Sequence, residues 1–387
     1  MPVSPRSPLA ERVFFPSADP DVTLEGRLAL RRSQTSSSGT GEQQGGGVNG
    51  ISDASTSTST STFPDLALVL LHPHAALGGS MADPVCSAIY REAKKHPRFG
   101  AVARYNARGV TGGIGRGRLL LSSLWRSRQG SDDAAEVVRA VATGEGIDID
   151  GETSFGDEDE EEEEEEEEDE GEEEGEGSGA RNGGSRSSSS SAAAKATAAT
   201  LPSQRRSHGQ RRRRRRKGYP PISRTFVVGY SWGSCVGAAA VSNLILSSAK
   251  KEEEEKEGKE ERSEGKEQEQ EQEVEIGGFV AVSPPLGTAA SLALGSSKCF
   301  SLLSTVPDLP VLVKLGDSDL FCSERAAKSS VEGVDRARRK LEAAKPAALS
   351  LEISPGLDHF WGAEDDPWSR EEIGKLARRI VAWILEQ

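Results

Sequence analysis

The sequence predicts an α/β protein with a mostly parallel central sheet and helices on both faces. Three observations carry that prediction. Short, nearly continuous apolar runs, such as Leu66-Ala67-Leu68-Val69-Leu70-Leu71 and Val311-Leu312-Val313-Lys314-Leu315, have the length and composition of strands covered on both sides. Amphipathic patterns of helical period, such as Asp132–Thr143 and Trp368–Leu385, lie between such runs. Strands and helices alternate along the chain, which implies right-handed crossovers between parallel strands.

The chain has 387 residues, a net charge of -14 and only 35% hydrophobic residues. Three tracts set those averages. Ser33–Thr62 is mostly Ser, Thr, Gly and Gln. Gly144–Pro220 holds an unbroken acidic run from Asp157 to Glu170, a Ser/Ala stretch and the basic segment Arg205–Lys217. Lys250–Glu275 is nearly all Glu, Lys and Gln. Such compositions bury too little apolar surface to offset chain entropy, so all three are expected to be disordered insertions. Gly144–Pro220 contains 22 acidic and 12 basic residues and Lys250–Glu275 contains 13 and 6, so these two tracts carry more than the whole net charge. The acidic balance therefore describes the tracts and says nothing of a substrate. About 250 residues remain, enough for one single-core domain.

In chain order, Arg12–Phe15 and Val22–Arg31 alternate around Ser17–Asp21 and read as an antiparallel hairpin at the sheet edge. The strand Leu66–Leu71 runs into His72-Pro73-His74-Ala75, and a helix follows from about Met81 to Lys95. Ala101–Tyr105 is a strand, followed by Asn106-Ala107-Arg108-Gly109, a glycine-rich loop to about Gly130 and the helix Asp132–Thr143. Further buried strands are Phe226-Val227-Val228, Phe279–Val282, Val311–Leu315 and Ala348–Ile353. The closing helix places Ile373, Leu376, Ile380, Trp383 and Ile384 on one face. Scattered apolar residues in Pro284–Pro307 suit either a small cap over the site or an ordinary crossover helix.

The chemistry centres on Gly229-Tyr230-Ser231-Trp232-Gly233, a G-x-S-x-G between a strand and a segment of helical period, Cys235–Leu246. That layout is a nucleophile elbow: the serine sits on a strained turn, and the positions two before and two after it have no room for a side chain. A glycine-rich phosphate loop would need a Walker lysine or G-x-G-x-x-G spacing, and neither is present. A nucleophilic serine needs a base and a carboxylate that orients the base. Of five histidines, His208 lies in the basic tract and His96 ends a helix, whereas His359 lies in a loop after a strand, where ligands of parallel sheets bind. Asp319 is the preferred acid over Asp317, which reads as a turn cap, while Asp358 is expected to point away from the ring. The oxyanion donors expected are the Trp232 amide and an amide at His74 or Ala75. The His72/His74 pair makes a poor metal site without a third ligand, and neither metal nor cofactor is expected.

Taken together, HPHAALGGSM, YNARGV, GYSWGS, SPPLG, GDSDLFC and GLDHFWG make the chain resemble the α/β-hydrolases, in particular the small cofactor-free predicted hydrolases and serine-aminopeptidase-like proteins. The resemblance covers nearly all of the residues outside the three tracts. It implies the α/β-hydrolase fold, with Ser231 as nucleophile, Asp319 as acid, His359 as base and the His74-Ala75 loop as oxyanion region.

The expected activity is cleavage of a carboxylic ester on a small-molecule substrate. The rivals are a peptidase or amidase with the same triad, and a non-catalytic scaffold whose charged tracts bind protein partners. Four widely spaced cysteines without C-x-x-C, no apolar leader and no run of about 18 apolar residues point to a reducing, cytoplasmic setting without a membrane span. Arg205–Lys217 suits nuclear import, but without interleaved aromatics nucleic acid is not the expected partner.

Overall fold

The computed structural model describes residues 10–31, 64–74, 79–108, 110, 127–149, 219–258, 274–288, 295–341, 346–362 and 366–387. Met1–Thr153 and Arg213–Gln387 form one compact unit. A second unit, Ser154–Arg212, lies outside the described residues, as do most of the three tracts, Ala75 and the basic segment Arg211–Lys217.

Strands β1 (Ala10–Pro16) and β2 (Thr23–Leu30) form the expected antiparallel hairpin. Six parallel strands follow: β3 (Leu66–Leu71), β4 (Phe99–Tyr105), β6 (Arg224–Tyr230), β7 (Ile276–Val282), β8 (Val311–Gly316) and β9 (Leu349–Ser354). With the two-residue β5 (Asp148–Ile149) beside β1, the order among the described residues is β5-β1-β2-β4-β3-β6-β7-β8-β9. The continuous apolar runs are explained by burial on both faces: Leu66, Leu68 and Leu70 enter one core, Ala67, Val69 and Leu71 the other.

Helices α1 (Pro84–Lys95) and α6 (Pro367–Glu386) cover the first face. The second is covered by α2 (Ser127–Thr143), α3 (Trp232–Gly258), the short α4 (Ser296–Ser301) and α5 (Glu324–Lys340). Helix α1 starts at Pro84 rather than Met81, because proline suits the first helical position and holds Asp83 extended. The Asp83 carboxylate then accepts the Val85 and Cys86 amides.

Other differences concern the tracts. The boundaries expected for the second tract are too wide. Asp148–Ile149 pairs with β1, and Tyr219 is buried, its hydroxyl donating to Val141 O at 2.5 Å. Helix α3 continues through Gly258, into the Lys250–Glu275 tract, because Glu and Lys are strong helix formers and the preceding apolar turns nucleate them. This helix has an apolar window, Trp232–Glu253, long enough to cross a membrane, yet 67% of it is buried within the protein, with Ala238, Val241 and Leu244 in the core. In Pro284–Pro307, Leu286, Phe300 and Leu303 are buried in the same core, so the described part of that segment packs as a crossover and does not cap the serine.

The described residues stop at Arg31, Ile149 and Gly258 before the three tracts and resume at Pro64, Tyr219 and Val274. Arg31, Pro64, Tyr219, Gly258 and Val274 lie toward the amino ends of the parallel strands, whereas Ile149 pairs with Val13, whose row runs through Gly26 to Tyr105 at the carboxyl end of β4. Arg31 N donates to Gly100 O at the start of β4, the returning segments lead into β3, β6 and β7, and α3 runs back from the carboxyl end of β6.

Candidate active site

Strand β6 ends at Tyr230 and α3 begins at Trp232, which leaves Ser231 alone at the junction with φ 53°. That left-handed conformation costs a non-glycine residue about 1–3 kcal/mol. Neighbours hold it there: Ser231 N donates to Val282 O at 2.8 Å, and Ser231 O accepts the Ser234 amide at 3.0 Å and the Ser234 hydroxyl at 2.5 Å. The flanking glycines are dictated by contact. A Cβ on Gly229 would lie 2.4 Å from Gly233 O, and one on Gly233 would lie 2.3 Å from Leu71 O. A strained serine stands at the carboxyl end of a central parallel strand, in a sheet that opens with an antiparallel hairpin and crosses from β3 outward to β4 before returning to β6. This is the α/β-hydrolase fold.

In a hydrolase fold the loops after β6, β8 and β9 share one rim, and here they bring Ser231, Asp319 and His359 together. Ser231 Oγ lies 2.8 Å from His359 Nε2, and His359 Nδ1 lies 2.8 Å from Asp319 Oδ2. An ionised carboxylate only accepts, so Nδ1 carries the proton and Nε2 is left to accept from the serine hydroxyl. The other oxygen, Asp319 Oδ1, accepts the amides of Phe321 at 2.8 Å and Cys322 at 3.0 Å, which holds the carboxylate in place. All three side chains are buried.

The neighbouring aspartates do other work. Asp317 Oδ1 accepts the Gly356 amide at 2.8 Å and ties the β8 loop to the β9 loop. Asp358 Oδ1 accepts the amides of Phe360 and Gly362, both at 3.0 Å. Trp232 is the first residue of α3, where an N–H has no acceptor within its own helix. The His74 ring meets the Trp232 ring edge-on at 5.7 Å, so the loop after β3 borders the start of α3. Ala75 lies outside the described residues.

His72 does something the sequence did not signal. Its Nε2 accepts the Ala107 amide at 2.8 Å and its Nδ1 faces Pro73 O, so it bridges the loops after β3 and β4 as a neutral ring. Burial, reinforced by the neighbouring His74 and opposed by the Pro73 carbonyl, lowers its pKa to about 4. A folded value below the ordinary 6.5 favours the unfolded state as protons are added. The stability His72 provides is thus complete above about pH 6.5 and falls as the pH drops toward 4, by up to about 3 kcal/mol. The advantage of wild type over His72→Gln in thermal unfolding should therefore shrink between pH 7 and pH 4. A constant advantage would refute the neutral bridge. Among the described residues no group of three or more His, Cys, Asp or Glu side chains is placed to hold a metal ion.

Four aromatic residues around the base and its loop were also not assigned from sequence. Tyr230 stacks on His359 at 6.2 Å and donates its hydroxyl to His359 O at 2.9 Å. Phe321 and Phe360 meet the same imidazole at 4.5 and 5.2 Å. Trp361, at φ 64° and buried, donates Nε1–H to Ser283 Oγ at 3.1 Å and anchors the histidine loop to the end of β7. The adjacency of Phe321 to the Asp319 loop and of Phe360 to His359 was the available signal.

No family model matches the chain, and no curated protein matches it. Among solved structures, this hydrolase fold is similar to a putative α/β hydrolase of unknown function from Agrobacterium tumefaciens, at 15% identity and TM-score 0.44 over 96% of this chain and 94% of that one. It is similar to a serine hydrolase without a lid from Xanthomonas campestris, at 13% identity and TM-score 0.44 over 100% and 97%. A thermophilic esterase from Thermogutta terrifontis aligns at 11% identity and TM-score 0.44 over 98% and 96%.

Proposed function

We propose that this protein is a serine hydrolase that cleaves a carboxylic ester through an acyl-enzyme. The observation that carries the reading is the continuous hydrogen-bonded relay from Ser231 through His359 to Asp319, each link 2.8 Å long. His359 Nε2 takes the hydroxyl proton as Ser231 Oγ attacks the carbonyl carbon. Asp319 holds the ring in the required tautomer and stabilises the imidazolium. The Trp232 amide at the start of α3 and an amide of the His74-Ala75 loop receive the oxyanion, aided by the positive end of the helix dipole. The alcohol leaves with the proton from Nε2, and water releases the acid by the same path in reverse order.

A fluorophosphonate probe should label the wild type and not Ser231→Ala, and the wild type alone should turn over an aryl acetate. Asp319→Asn should keep the fold and lose roughly 10⁴-fold in kcat, because the amide presents the wrong partner to Nδ1. Labelling that survives Ser231→Ala would place the reactive group elsewhere. An unlabelled wild type would favour a non-catalytic scaffold. A faster rate on an aminoacyl amide than on the matching ester would favour a peptidase.

A further inference from the structure

We propose that Leu320, Phe321 and Phe360 form an apolar seat for the leaving alcohol, so that the preferred substrates are esters of apolar alcohols. This rests on the serine-hydrolase reading above.

Most large apolar side chains of the described residues are buried, but these three are not. Leu320 is 95% exposed, Phe360 56% and Phe321 36%. They come from two loops far apart in sequence, and Phe321 and Phe360 meet at one place, with Leu320 next to Phe321 in the chain. Phe321 and Phe360 contact each other edge-to-face at 6.3 Å, and each contacts the His359 ring. Their backbones are pinned, the Phe321 amide to Asp319 Oδ1 and the Phe360 amide to Asp358 Oδ1. The surface they offer is therefore preorganised, and the carboxylates of Asp317, Asp319 and Asp358 in the same loops each accept backbone amides.

The position of these rings decides which part of the ester they touch. When the tetrahedral intermediate collapses, the bond from the carbonyl carbon to the alcohol oxygen breaks. The proton that left Ser231 Oγ passes from His359 Nε2 to that oxygen. The departing oxygen must then lie within hydrogen-bond reach of Nε2, roughly 3 Å. The carbons attached to it extend over whatever flanks the imidazole, while the acyl chain extends from the other side of the carbonyl, beside the oxyanion donors. Phe321 and Phe360 flank the imidazole, with Leu320 beside Phe321, so the alcohol is what they receive.

The test compares kcat/KM for ethyl, butyl and hexyl acetate, whose alcohols have similar acidity, with ethyl acetate, butanoate and hexanoate as an acyl series. Half-burial of each methylene predicts about a two-fold gain per carbon, about 15-fold from ethyl to hexyl acetate in the wild type. A Leu320→Gln, Phe360→Gln variant, folded by thermal unfolding, should flatten that gain below about three-fold and keep the acyl dependence. A flat alcohol series in the wild type, or a double variant that keeps the gain, would overturn the seat while leaving Ser231-dependent turnover intact. So would loss of the acyl dependence instead. Absence of any Ser231-dependent turnover would overturn both readings together.

Discussion

His359→Ala lowers kcat for an activated ester by about 10⁶-fold, and combining it with Ser231→Ala costs almost nothing more. The reason lies in the relay. Once the imidazole is gone, Ser231 Oγ has no acceptor for its proton, and an unactivated hydroxyl contributes little that its removal could still take away. The residual rate comes from the oxyanion donors and from substrate binding, which neither substitution touches. A double variant with the product of the two single losses would mean that Ser231 and His359 act independently, and the relay would then not be the machinery. Rates must be measured with the acyl-enzyme step resolved, since slow product release would mask part of the effect.

Gly233→Ala should destabilise the protein by about 3 kcal/mol or more and abolish probe labelling. The added Cβ would meet Leu71 O at 2.3 Å and His72 O at 2.6 Å. Both are backbone atoms, so no rotamer change relieves the clash, and α3 must retreat from the end of β3. That retreat separates the Trp232 amide from the His74 loop and relaxes the turn that presents Ser231. Gly333 gives the control, because it lies within α5 and a Cβ there meets nothing within 4 Å. Gly333→Ala should gain up to about 1 kcal/mol and leave labelling unchanged. Thermal unfolding and probe kinetics on the two variants decide it; equal behaviour would rule out the close approach.

The elbow was legible because sterics leave so few sequences that can make it: glycine at 229 and 233, a small residue at 231, a β-rich run before and a helical one after. Asp319 was separable from Asp317 by position alone, and the structure pairs only Asp319 with His359. Helix α5 was not legible. Its buried residues, Ala327, Val331, Val334 and Arg338, include one alanine and one arginine among two valines, a weak apolar stripe. Strand β5 was invisible because two residues have no period, and cross-strand pairing with Val13 and Phe14 alone defines it. The end of α3 was only half legible: pairs such as Glu252 and Lys256 suit either a solvated helix or solvated filler, and Glu and Lys here prolong a helix that an apolar segment has already started. The contact between Phe321 and Phe360 depends on two loops meeting, which no local pattern encodes.

Arg31 and Gly258 lie toward the amino ends of the parallel strands, away from the rim that carries Ser231, Asp319 and His359. Each described piece brings whole strands, of which only β5 and β9 lie at the sheet edges, and Ser231 rides on the piece holding β6, paired on both sides, and α3. The protein is in that sense divisible. Two halves broken between Ile149 and Tyr219 and produced in one cell should reassociate through β3 and β6, giving a split hydrolase whose turnover reports that its fragments have found each other.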